Sequence, residues 1–130
     1  QSQKAIEVLN QALKINPHFE KAYTNMGVVY ERIGQLGKAA EMHKRAITER
    51  PDYAQGHYNL GNTLYKSGRK KEAMSAYALA NQLDPKHVDA LYNYAVVADE
   101  LGKKRVTEIA INKLRGIDPK LANQLQQELY

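Results

Sequence analysis

Asparagine is the residue type whose spacing in this sequence first indicates a chemistry. Asn25, Asn59 and Asn93 recur at a step of 34 residues. A carboxamide both donates and accepts hydrogen bonds, so a row of them can pair with the N–H and C=O groups of an extended peptide. Two interpretations stay open at this point: the row grips a peptide, or the asparagines only support the helices that carry them.

Residues that serve catalysis or metal binding elsewhere lack the necessary spacing here. The absence of cysteine excludes disulfides, thiolate catalysis and zinc–thiolate sites. The four histidines have no HExxH-type spacing, and the segment around Gly34 lacks the first glycine and the Ser/Thr of a phosphate-binding loop. We expect His43 and His57 to be packing residues, each with one ring nitrogen hydrogen-bonded. The sequence therefore predicts no enzyme activity, no metal and no cofactor.

A second surface is indicated by basic residues in two triplets, again 34 apart. These residues, which we call the basic rim, are Arg69, Lys70, Lys71, Lys103, Lys104 and Arg105. A basic stripe can contact nucleic acid, acidic lipid headgroups or an acidic protein. The simpler interpretation is a row of solvated charges. No aromatic residues alternate with these charges, which disfavours nucleic acid, and contact with a membrane surface stays open.

The step of 34 residues extends over the whole chain. The sequence has four prolines, all on this step: Pro17, Pro51, Pro85 and Pro119. Three glycines keep the same step: Gly34, Gly68 and Gly102. Apolar residues between these points follow helical spacing, so a period of this length predicts a helical repeat architecture.

One 34-residue segment carries a family resemblance. Its defining residues are Tyr58-Asn59-Leu60-Gly61, Tyr65, Gly68, Ala73, Tyr77, Ala80 and Pro85. This pattern closely resembles the tetratricopeptide repeat (TPR) consensus. The resemblance implies an all-α fold, a right-handed α-solenoid of helix pairs, in which first helices line a concave groove and neighbouring repeats stabilise each other. It also implies non-catalytic protein–protein interaction.

The period divides the chain into segments of one domain. We expect a truncated repeat's second helix in 1–19, repeats in 20–53, 54–87 and 88–121, and a capping helix in 119–130. Helices are predicted over residues 2–15, 20–33, 38–49, 54–67, 70–83, 88–101 and 105–114. Because Gln1 enters the repeat halfway, we expect the chain to be a piece of a longer protein. Any targeting segment of that protein would then lie outside this sequence. The sequence leaves the compartment open.

Small residues predict where the helices pack. Gly27 and Gly61 lie inside predicted helices, where glycine costs about 1 kcal/mol relative to alanine. Their recurrence predicts that a neighbouring helix passes too close for a side chain. The third repeat is degenerate, because Ala95, Thr107 and Leu114 replace smaller residues of the earlier repeats.

The resemblance assigns residues to the partner-binding groove. These residues are Asn25, Val28, Tyr58, Asn59, Asn62, Tyr65, Tyr92, Asn93 and Val96. Tyrosines beside amides are typical of binding hot spots. The predicted function is to hold a protein or peptide partner in this groove.

One TPR specificity is disfavoured by the residues themselves. The family's carboxylate clamp, which grips the C-terminal tails of chaperones, needs Lys and Arg on successive first helices. Asn59 matches that pattern, but Thr24, Val28, Asp89 and Asn93 occupy the other points. Because an acidic residue repels a carboxylate, we predict that the partner is not a chaperone tail. A scaffold that self-assembles through its repeat ends, as in organelle-coating TPR proteins, stays an alternative.

Overall fold

The computed structural model describes residues 1–130, which form eight α-helices and no strand. In chain order the helices are α1 Ser2–Ile15, α2 Glu20–Arg32, α3 Leu36–Glu49, α4 Ala54–Lys66, α5 Lys70–Leu83, α6 Val88–Glu100, α7 Lys104–Ile117 and α8 Pro119–Leu129. Packing runs mainly between helices that follow each other in the chain. The buried residues form separate small clusters along the stack. The architecture is therefore an all-α solenoid of helix pairs, as the sequence predicts.

Glycine ends the first helix of each pair. Gly34, Gly68 and Gly102 have φ angles of +83°, +80° and +74°. Glycine adopts positive φ without steric strain because it has no Cβ atom. The next residue then donates its N–H to the carbonyl five residues back, as Gln35 does to Tyr30 at 2.8 Å. This bond closes the helix end, so the break that the sequence predicts after residue 33 is confirmed.

Proline ends the second helix of each pair. The residues before the first three prolines, Asn16, Arg50 and Asp84, have φ angles of −135°, −143° and −135°. A proline ring disfavours helical geometry in the residue before it, so each second helix stops there and the chain turns into the next repeat.

Alanines let the two helices of a pair approach closely. Ala39, Ala73 and Ala80 are fully buried, and Ala46 is 4% exposed. In the third pair Thr107 and Leu114, like Ala95 on the partner helix, are equally buried. The degenerate repeat therefore packs in the same way with larger side chains.

Two predicted helices differ from the structure by two residues or more at one end. Helix α3 begins at Leu36, two residues earlier than expected, and α7 runs over Lys104–Ile117 instead of residues 105–114. Gly116 does not stop α7, because a glycine inside a helix costs only about 1 kcal/mol. The helix ends at Ile117, because Asp118, its C-cap, precedes the last proline.

The last helix covers the end of the stack. Ala122 and Leu125 of α8 are fully buried in a cluster with residues of α6 and α7. Asp118 begins the helix by accepting a hydrogen bond from the N–H of Leu121 at 3.1 Å, a standard N-cap. α8 therefore shields the apolar side of the third pair.

Candidate functional site

The first helices α2, α4 and α6 lie side by side, and we call their shared surface the first-helix face. Glu31 of α2 accepts hydrogen bonds from Thr63 and Lys66 of α4. Burial alone would raise the pKa of Glu31, but these two bonds outweigh it and hold the pKa below its ordinary value. Further along, the Tyr65 hydroxyl donates to the Glu100 carboxylate of α6 at 2.8 Å. These bonds link α2, α4 and α6, the helices that carry the predicted groove residues.

The centre of the first-helix face is a polar network between α4, α5 and α6. Asn93 donates through Nδ2 to Asn62 Oδ1 at 3.2 Å and to the Tyr58 hydroxyl at 3.5 Å. The Tyr77 hydroxyl donates to the same Asn62 oxygen at 2.6 Å. A pocket of about 160 Å³ opens here, lined by Asn62, Tyr65, Lys66, Tyr77, Asn93 and Val97.

The three laddered asparagines keep different amounts of free hydrogen-bonding capacity. Asn25 is exposed and its side chain makes no hydrogen bond within the chain. Asn59 accepts from Gln55 Nε2 at 3.1 Å, which leaves its own Nδ2 free. Asn93 uses its Nδ2 within the network and keeps its Oδ1 free. The ladder is thus partly a link between repeats and partly an open set of amide groups.

The tyrosines of the first-helix face present rings whose hydroxyls are already hydrogen-bonded. The bond to Glu100 raises the pKa of the Tyr65 phenol. Tyr92 donates to Glu128 of α8 at 3.2 Å, and burial together with this bond raises its pKa. Tyr58 is half-buried. Tyr65 and Tyr92 are therefore held in place by hydrogen bonds to neighbouring helices.

The two valines predicted for the groove differ in exposure. Val28 is 42% exposed, and Val96 is half-buried against the cluster of the third pair. Both lie on first helices, Val28 one repeat step before Asn62 and Val96 one step after it. They add apolar surface beside the amides.

Both histidines are packing residues, as predicted, but the predicted hydrogen bond forms at His57 and not at His43. His57 Nε2 lies 2.9 Å from the Pro51 carbonyl. His43 is 2% exposed and its Nδ1 has no hydrogen-bond partner. Burial lowers the pKa of His43, and the Glu31 carboxylate opposes this shift only in part. The ring is held by packing against Gly27, not by a hydrogen bond.

No cluster of three or more His, Asp or Glu side chains lies in a position to hold a metal ion. None of the eight helices has the length and apolar character needed to span a membrane.

Comparison with protein-family models decides the family. A model described as TPR repeat matches residues 1–34 and 32–68, and one described as Tetratricopeptide repeat matches residues 54–87. The chain belongs to the tetratricopeptide repeat family. The matches end at residue 87, before the third helix pair, α6 and α7. No curated protein matches the sequence.

Solved structures show the same TPR arrangement. A crystal structure of MamA is 26% identical, with a TM-score of 0.86, over 96% of this chain and 74% of that one. A second MamA structure, 24% identical, covers 98% and 76% with a TM-score of 0.82 and shows the fold alone. A mutant of the O-GlcNAc transferase from Thermobaculum terrenum is 26% identical, with a TM-score of 0.75, over 85% of this chain and 22% of that one. This TPR chain thus resembles a small part of a long enzyme and most of MamA.

The basic rim lies at the N-terminal ends of α5 and α7, which begin at Lys70 and Lys104, and it is partly neutralised. Arg69 forms two hydrogen bonds of 2.8 Å with Glu72, and Lys70 lies 3.1 Å from Glu100. The Lys104 ammonium lies 5.8 Å from the centre of the Tyr130 ring. The remaining members are exposed and unpaired: Lys71, Lys103 and Arg105. The rim therefore carries less free positive charge than its sequence suggests.

One feature of the TPR stack was missed from the sequence. Between α5 and α7, on the side opposite the first-helix face, lies a cavity of about 850 Å³. We call it the second-helix groove. The residues that matter most are Leu91, Tyr94, Val106, Ile109, Lys113 and Ile117. Its signal is visible in the repeats, because Val106 and Ile109 stand where polar residues occur one step earlier.

Proposed function

We propose that this TPR chain is a non-catalytic protein–protein interaction module that holds an extended or helical segment of a partner on its first-helix face. The observation that carries the proposal is the row of Asn25, Asn59 and Asn93 on adjacent helices, each with an unpaired amide atom. Amides offer the complementary groups that a peptide backbone needs. The 160 Å³ pocket beside Asn62 receives a partner side chain.

The tyrosines and valines of this face supply contact area. Tyr65 and Tyr92 are held by Glu100 and Glu128, so little side-chain entropy is lost when a partner packs on them. Val28 adds an exposed apolar surface. Affinity is moderate, because an extended segment loses conformational entropy on binding.

A capture experiment tests this proposal. A photo-crosslinking amino acid at position 28 should covalently trap the partner, whose attached segment is then identified by mass spectrometry. The double variant Asn25→Ala with Asn59→Ala should lose this partner while keeping its helix content. Neither amide links two repeats, so the fold should not suffer.

The matched control is Asn10→Ala with Asn123→Ala, since both asparagines are exposed and lie off the first-helix face. This control should capture the partner as the parent chain does. Binding by the groove should also respond little to added salt. Capture that survives the Asn25 and Asn59 substitutions would refute the groove proposal.

A second candidate function is a scaffold that assembles through its repeat ends. It is favoured by α1, where Val8 and Ile15 are 58% and 87% exposed. Exposed apolar side chains of this kind mark association surfaces when they are contiguous. Sedimentation over a range of concentrations tests it. Association that Val8→Lys with Ile15→Lys abolishes supports the scaffold, and a strict monomer at high concentration eliminates it.

A further inference from the structure

The second-helix groove is a large concavity that the proposed function leaves unused. Its floor is formed by Leu91 and Tyr94 of α6, and Ile109 and Ile117 line the α7 side. A volume of about 850 Å³ lies within the range of natural binding pockets. The cavity extends between α5 and α7, which run in the same direction.

The two earlier repeats each place a buried ring side chain at the position that Leu91 occupies in the third. In the first, the Tyr23 hydroxyl donates to the Pro17 carbonyl at 3.1 Å. In the next, His57 makes the matching bond to Pro51 at 2.9 Å. The residue 34 positions later is Leu91. Its side chain has no hydrogen-bond donor for the Pro85 carbonyl and no ring to fill the groove.

A second side chain packs against the first of these rings. The Arg45 guanidinium donates to the Tyr23 hydroxyl at 3.1 Å and lies 5.0 Å from the centre of that ring. The residue at the equivalent position of the third repeat is Lys113, which is exposed and not stacked on a ring. The second-helix groove is therefore open because both of these side chains are absent.

The wall of the open groove is apolar where the earlier repeats are polar. Val106 and Ile109 occupy the positions of Glu72 and Ser75 one step earlier. Ile109 is 50% exposed. The fold does not require an apolar side chain there, because the equivalent residue of the preceding repeat is serine. Apolar side chains that the fold does not require mark an interaction surface.

The charges at the groove have one sign. Lys86 and Lys113 line it, and no carboxylate does. Neither ammonium lies within 4.0 Å of a carboxylate. A partner that covers this surface would bury the two lysines. It must therefore carry acidic groups that pair with them, beside the apolar groups that contact the groove.

We propose that the second-helix groove binds an amphipathic helix of a protein partner, with Leu- or Ile-like anchors against Leu91 and Ile109 and acidic residues facing Lys86 and Lys113. A helix suits the site because apolar residues three and four positions apart form one stripe that fits a groove between two helices. This site is separate from the first-helix face, so both can be occupied together.

The test uses two synthetic peptides about 18 residues long, roughly five helical turns. Both carry leucines along one helix face and a fluorescent label. One peptide has Glu on the flanks of that face, and the other has Lys. Fluorescence anisotropy with the whole chain should show saturable binding of the Glu peptide and no binding of the Lys peptide.

Ile109→Glu should weaken binding of the Glu peptide by about tenfold or more, since it removes an anchor and adds a like charge. Lys113→Glu should weaken it as well. Leu79→Glu is the matched control, because Leu79 is 45% exposed on α5 but does not line this groove. The affinity of Leu79→Glu for the Glu peptide should stay within about twofold of that of the parent chain. Circular dichroism confirms that each variant remains folded.

Several results would overturn the proposal. They are equal binding of the two peptides, no saturation with the Glu peptide, and equal affinities for Ile109→Glu and Leu79→Glu. Concentration-dependent dimerisation of the chain alone that Ile109→Glu abolishes would assign the groove to a second copy and would also overturn it. The Asn25 and Asn59 variants should bind the Glu peptide normally, so this test does not depend on the function proposed for the first-helix face.

Discussion

The ring of Tyr77 occupies the space that a side chain on Gly61 would need. A Cβ on Gly61 would lie 2.7 Å from the ring carbon Cε1 of Tyr77, closer than real Cβ contacts allow. At the equivalent positions of the third repeat, Ala95 and Ile111 lie together in one buried cluster. A large ring thus faces glycine, and a smaller aliphatic side chain faces alanine. The size of one partner sets the size of the other.

Gly61→Ala should therefore destabilise the chain, although alanine is the better helix former. The intrinsic gain of about 1 kcal/mol is outweighed by overpacking against the buried Tyr77 ring, which costs about 1–3 kcal/mol. Urea denaturation followed by circular dichroism should show a lower free energy of unfolding than the parent chain.

Gly116→Ala is the control for this prediction, because nothing lies within 4 Å of a Cβ built there. It should raise the free energy of unfolding. The combination Gly61→Ala with Tyr77→Ile copies the third repeat and should cost less than the sum of the two single changes. Strict additivity would contradict the steric explanation.

His43 should make stability depend on pH. Burial lowers the pKa of its imidazole, with Glu31 opposing the shift only in part. The unfolded chain then binds a proton more readily than the folded chain, so the free energy of unfolding falls as pH decreases through the ordinary value of 6.5. His43→Phe keeps a ring over Gly27 but removes the titration.

Denaturant unfolding between about pH 5 and pH 8 measures this effect. His43→Phe should show a flatter dependence than the parent chain across that window, with the difference growing toward low pH. Parallel curves for the two proteins would show that His43 does not contribute.

Much of this fold follows from local chemistry, which explains why the sequence predicts it well. The left-handed turn at Gly34 and the extended residue before Pro51 depend only on backbone sterics, and both recur in register. Gly27 could be assigned to a close helix contact because glycine inside a helix needs a packing reason.

The site was less predictable, because hydrogen bonds between repeats depend on side-chain geometry. Asn93 bonds to Asn62 and Tyr58 on the neighbouring helix, and no spacing rule indicates which amide atoms stay free. The missing hydrogen bond of His43 also depends on side-chain geometry that the sequence does not indicate. The second-helix groove was missed for another reason: it arises from the absence of rings, and Leu91 seen alone is an ordinary core residue.

The hydroxyl of Tyr77 should contribute to stability through Asn62. Tyr77→Phe removes a buried hydrogen bond of 2.6 Å while keeping the ring against Gly61, so it should lower the free energy of unfolding by about 1 kcal/mol. Tyr94→Phe is the control, because Tyr94 is half-buried and its hydroxyl makes no hydrogen bond within the chain. Its effect should stay within about 0.5 kcal/mol. Equal losses for the two variants would contradict the role given to the network.

The open groove should close when the residue of the preceding repeat is restored at its floor. In Leu91→His, the ring nitrogen should reach the Pro85 carbonyl as His57 reaches Pro51, and the imidazole should fill space that the partner helix needs. Leu91→Met is the control, since it keeps an apolar chain without a donor. The acidic peptide should bind more weakly to Leu91→His than to Leu91→Met, while thermal unfolding shows both variants to be folded. Equal affinities would mean that the depth of the groove at Leu91 does not determine binding.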